Sequence, residues 1–154
     1  MRMSSFSLQT LPYWLHVVVE LPASLKFFLN PSNQLSTDPI HRQAGDPAIE
    51  AIIRQYAVLL FVSVLISLIF ALRKVDHTSG QVATTLMLYH VAPIVRAACR
   101  VWQGDQIWLN RDLGGPWVHL AVHTLCFSAL GHLAFEASLV KERQKRKEIL
   151  VKEE

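Results

Sequence analysis

The stretch YAVLLFVSVLISLIFAL, Tyr56 to Leu72, constrains this chain more than any other. It runs without an acidic or basic residue for a length that, as a helix rising ~1.5 Å per residue, reaches the low end of a membrane crossing. Its β-branched residues would suit a strand, but a strand this long has no place in a domain of 154 residues. The rest of the composition agrees. Hydrophobic residues make up 51% and charged residues 18%, below the roughly 25% charged of soluble domains. Mean hydropathy is +0.27. The length fits one domain.

Three further apolar segments flank this one. The first, Leu11 to Leu29, is the weakest, because it contains His16, Glu20, Pro22 and Lys26. The third runs from about Val82 to Val101 and carries His90, Pro93, Arg96 and Arg100. The fourth runs from Pro116 to about Val140, its start marked by Gly114 and Gly115 and by a proline suited to a first helical turn. Between them lie a Pro-, Ser- and Asn-rich loop from Asn30 to Pro47, a short loop RKVDHTSG, and a third loop, QGDQIWLNRDLGG. Trp14, Trp102 and Trp117 stand near segment ends, where an interfacial belt would place them. Arg2 followed by an apolar run resembles a signal peptide, but Glu20 interrupts the run and no small-x-small cleavage site follows. A retained first helix is expected.

The expected fold is all-α: a four-helix transmembrane bundle with both termini cytosolic, comprising a four-span membrane domain over 1–140 and a charged tail over 141–154. The first segment is the one that could instead lie in the interface; a soluble apolar bundle is the alternative. Orientation follows from the basic residues. Arg2, Arg73, Lys74 and six residues of the tail KERQKRKEILVKEE share one side, against Arg42, Arg54, Arg100 and Arg111 on the other. The tail is expected to continue the last helix, with Glu142 and Arg146 four apart in the favourable order. Its charge suits an anionic membrane surface rather than nucleic acid. Cys99 and Cys126 lie in apolar segments without metal-like spacing and read as small buried hydrophobes.

Ionisable groups at membrane depth are costly and usually face a bundle interior or water. Counted from the cytosolic ends, Glu20 lies about 13 Å in and His90 about 12 Å, so these two could meet; Arg96 at about 21 Å shares a layer with His123 at about 19 Å. In the stretch PWVHLAVHTLCFSALGHLAFE, His119 and His123 share one helix face, while His132 and Glu136 share another, half a turn round and near the cytosolic surface. A His-x-x-x-His pair can supply two metal ligands, but His-Glu-x-x-His and further histidine boxes are missing, and neither a metal nor a cofactor is expected. Glu20, His90, Arg96 and His123 remain the candidate catalytic residues, since a carboxyl and a histidine in one apolar site can be tuned apart for acid–base chemistry. Against that stands the simpler role of polar pins fixing helix order.

The phrases WLHVVVELPASLKFFLNPSNQL, IIRQYAVLLF, LYHVAPIVRA and GGPWVHLAVHTLCFSAL are spread over all four apolar segments. On them it resembles a group of small uncharacterised four-helix integral membrane proteins of filamentous fungi. The resemblance implies the architecture, and through the link of some such proteins to secondary metabolism it implies a lipophilic substrate. The expected function is therefore that of a multi-pass membrane protein binding or organising a lipid or membrane partner. The alternative is a small intramembrane enzyme of isomerase or cyclase type. The expected partners are membrane lipid, a lipophilic small molecule, and a membrane protein or second copy of the chain, with no nucleic acid. The endoplasmic reticulum is preferred over the plasma membrane.

Overall fold

A computed structural model describes residues 8–34, 46–104 and 114–153. Its regular structure is entirely helical. A 3-10 turn at Leu8–Thr10 leads into α1, Leu11–Leu29, and a second turn, Pro31–Gln34, follows it. Helices α2 (Pro47–Ala71), α3 (His77–Tyr89), α4 (Val91–Trp102) and α5 (Pro116–Glu153) complete the order. Two compact units divide the chain: Met1–Tyr13 with Phe70–Glu154, and Trp14–Ile69.

Three stretches are long and apolar enough to cross a membrane: Pro47–Ala71, His77–Trp102 and Pro116–Val140. Helix α1 is not among them, its apolar run diluted by His16, Glu20 and Lys26. Only 22% of each candidate window is buried. The exposed remainder is apolar: on α2, Ile52, Val58, Leu59, Val62, Leu65 and Ile69 all face outward. The buried seam of α2 is Ala57, Leu60, Val64, Ser67 and Ala71, a three–four alternation that keeps one narrow stripe turned inward. With large apolar side chains outside, and Ala and Ser sharing the seam with Leu60 and Val64, the helix departs from the arrangement of a soluble domain.

The loop expected at RKVDHTSG is shorter than its composition implied. Asp76 caps α3, its carboxylate accepting from the Ser79 backbone N–H and from the Ser79 hydroxyl, both at 2.8 Å, while the Asp76 N–H donates to Ser79 Oγ at 3.2 Å. This reciprocal capping box draws His77, Thr78, Ser79 and Gly80 into the helix. Those bonds, with Arg73 nearby, hold the exposed Asp76 carboxyl below its ordinary range. At the far end of α3 the cause of the break is Pro93, which lacks the N–H that would reach the Tyr89 carbonyl. The His90 N–H bonds instead to Met87 at 3.0 Å, tightening the last turn, and α4 resumes from His90 with Ile94 N–H donating to its carbonyl. Helices α3 and α4 are thus one broken segment. The positive φ of Gly104 (85°) follows α4 as its stop.

In the larger unit, α3 and α4 both pack on α5. The seam joins Ser79, Gly80, Ala83, Leu86, His90 and Ala97 to Cys126, Leu130, Leu133 and Ala137. Most of these residues are small. A Cβ placed on Gly80 would lie 2.7 Å from the Ala137 Cβ, and one on Gly131 would lie 3.0 Å from Met87 Sδ. The backbones approach this closely because those side chains are missing. Tyr13 joins the same unit by donating to the Ser79 carbonyl and packing on Phe70 at 5.8 Å.

In the smaller unit, α1 turns His16, Glu20 and Ser24 to the buried side at successive turns, while Val18, Leu25 and Phe28 are exposed. Phe27 stacks on Tyr56 of α2 at 6.0 Å. One position differs from expectation. Cys99 is exposed on α4, where the narrow seam leaves it outside; Cys126 alone is buried. Trp102, 92% exposed at the end of α4, has the setting of an interfacial residue. Arg42 and Trp108 lie outside the described residues.

Candidate functional site, a buried histidine pair

The broken segment and α5 each contribute one histidine to the seam of the larger unit. His90 stands at the α3–α4 break, and His123 occupies a seam position of α5. Their Nδ1 atoms are 2.9 Å apart. Two lone pairs or two N–H groups cannot share that distance favourably, so one ring donates and the other accepts. The pair therefore carries one proton between the two nitrogens, in two interconvertible arrangements of opposite tautomers. Doubly protonated, both rings would present N–H at the contact and the bond would be lost.

Neighbouring rings fix the pair. Tyr89 lies edge-on to His90 at 5.1 Å and 71°, and His119 stacks on His123 at 5.9 Å and 13°. Arg96 is exposed, one turn and a half past His90, and acts electrostatically on His119 and His123; Arg100 acts on His119. The depth of His90 explains the contact. Counted from His77, where α3 begins, His90 is about 20 Å along the segment rather than 12 Å. That is the level at which His123 was expected. The same five-residue advance carries Arg96 to about 29 Å, toward the far end and beside His119.

Glu20 belongs to the smaller unit, where it is buried on α1 one turn from His16. His16 Nε2 lies 3.2 Å from Ser63 Oγ, and the Ser63 hydroxyl donates to the Leu60 carbonyl at 2.7 Å. With its one proton committed to Leu60, Ser63 accepts at His16, which places the His16 proton on Nε2. His90 and His123 are thus brought together, with Arg96 nearby; Glu20 is described within its own unit, on the buried side of α1 with His16 and Ser24.

A second feature of the larger unit was not singled out in the sequence. A cavity of about 480 Å³ opens beside the start of α3. Its lining includes the apolar Leu8, Pro12, Leu133 and Val140 and the polar Asp76, His77, His132 and Glu136. Two signals in the sequence pointed here: the capping pattern at Asp76, and the four-residue spacing of His132 and Glu136. His90 and His123 do not line it; His132 is about 14 Å further along α5 than His123. The volume falls within the range of small-molecule sites. His77 and Val140 each end a candidate membrane span, and both line the cavity. No protein-family model, curated protein or solved structure matches the chain.

Proposed function

We propose that this chain is a multi-pass membrane protein that binds an amphiphilic lipid at one membrane boundary. The observation that carries the reading is the cavity at the ends of two candidate spans, lined by both apolar and polar residues. An amphiphile offers the matching pair of surfaces. The outward apolar faces support the membrane setting. The same reading puts the protein in the endoplasmic reticulum, with its basic tail in the cytosol.

The test has two steps. Alkaline carbonate extraction is expected to leave the chain in the membrane pellet; its release would remove the membrane reading. A lipid with a photoreactive group in its acyl chain is then expected to label the peptide spanning Leu133 to Val140, competed by unlabelled lipid. Labelling spread evenly over all outward faces would reject the cavity as a site.

A second reading, acid–base chemistry on a lipophilic substrate, draws on the His90–His123 bond, since a proton shared by two buried rings can be passed on. Separate Glu20→Gln and His123→Ala variants discriminate. Loss of product at normal abundance would favour catalysis, and loss of the protein itself would favour a structural pin.

A further inference from the structure

We infer that the cavity beside α3 selects amphiphiles with a cationic amine or ammonium head over those with an anionic head. The inference rests on the amphiphile-binding reading and adds the sign of the head group.

Its basis is the charge of the wall. Two carboxylates, Asp76 and Glu136, line the cavity, and neither lysine nor arginine is among the described residues that line it. The two acids come from different elements, one from the cap of α3 and one from α5, and face a common space. They are not equivalent. Asp76 spends one oxygen on Ser79, and its other lies 3.5 Å from Arg73, so its charge is partly met. Among the described residues Glu136 makes no ion pair. It is the acid left to take a cation.

The position adds to this. At a membrane boundary the dielectric falls and an ion pair strengthens relative to water. A phosphate or carboxylate head would meet a like charge there and lose hydration without return. An ammonium head can sit against Glu136 with its chain against the apolar lining residues on either side of it on α5, Leu133, Ala137 and Val140.

The experiment uses the full chain in neutral-lipid nanodiscs. Two probes of equal chain length are titrated, a long-chain alkylamine and the matching alkyl phosphate, with binding read by native mass spectrometry and by competition against the photoreactive lipid. The amine is expected to bind at least roughly tenfold more tightly, equivalent to about 1.4 kcal/mol. Glu136→Gln is expected to bring the two within about threefold while leaving the protein folded, since Glu136 is exposed. Equal binding of both probes to the unaltered chain, or tighter binding of the phosphate, would overturn the head-group inference and leave amphiphile binding standing. Binding of neither probe would overturn both. An amine preference that survives Glu136→Gln would also count against it, because the carboxylate assigned the selectivity would be idle.

Discussion

At the scale of single residues, the His90–His123 bond and the Asp76 cap are the two polar features whose energetics can be stated. Removing one ring of the histidine pair leaves the other buried without its Nδ1 partner, a loss of about 1–3 kcal/mol for a stranded polar group. His90→Ala and His123→Ala are therefore each expected to destabilise by about that much, and the double variant by clearly less than their sum. Unfolding in lipid bicelles measures the coupling; strict additivity would mean the two rings do not interact. Asp76 has the opposite relation to protons. Its folded-state pKa is depressed, so the folded chain holds the carboxylate more readily than the unfolded one. The stability this adds is fully present above the unfolded value near 3.8 and is lost as the pH falls through the lower folded value. Asp76→Asn keeps a capping side chain without the charge. It is expected to flatten that part of the acid limb, checked by thermal unfolding monitored at pH 6 and at pH 3. An unchanged acid limb would show that the cap does not titrate with folding.

At the scale of elements, the seam between α3 and α5 depends on glycine. The Gly80 position leaves no room for a methyl, since the obstructing atom is itself the short, stiff Cβ of Ala137. Gly80→Ala is expected to cost about 1–3 kcal/mol through overpacking, and Ala137→Gly in the same chain is expected to recover much of it. Failure of that rescue would mean that backbone freedom, not space, sets the preference. Gly131→Ala should cost less, because Met87 Sδ, 3.0 Å away, belongs to a flexible side chain. Helices were the legible part of this chain. Apolar runs marked α2 and the spanning part of α5, and Gly114-Gly115-Pro116 marked the start of α5 to the residue. The start of α3 was obscured because polar residues serve equally in loops and in a first turn, so Asp76 to Gly80 read as a turn. That one displacement moved His90 by about 8 Å along its helix and hid its pairing with His123. Helical periodicity shows which residues share a face of one helix, as it did for His119 and His123. It says nothing of axial register between helices, which short-range contacts such as Gly80 against Ala137 establish.

At the scale of the whole molecule, the distribution of polarity makes a claim that one substitution can test. Leu59 lies midway along α2 and is 67% exposed. In water, an acid at such an outward site on a helix costs little and aids solubility. In a bilayer the same acid faces hydrocarbon, where an aspartate at a helix centre costs about 2.5–3.5 kcal/mol on insertion. Leu59→Asp is therefore expected to cut insertion of α2, read by glycosylation sites placed on either side of the segment, and to lower the amount of protein in the membrane fraction. Ser67→Ala on the buried face of the same helix provides the comparison. Its hydroxyl is buried without a hydrogen-bond partner among the described residues, so its removal should leave insertion and abundance intact. The contrast follows from the pattern of α2 itself, in which the exposed face is apolar and the seam is where a hydroxyl is held. If Leu59→Asp gave normal amounts of a soluble, monodisperse protein, the outward leucines, valines and isoleucines of α2 would have to be covered by protein rather than lipid. The most economical cover would then be a second copy of the chain, and crosslinking at Leu59→Cys would find it.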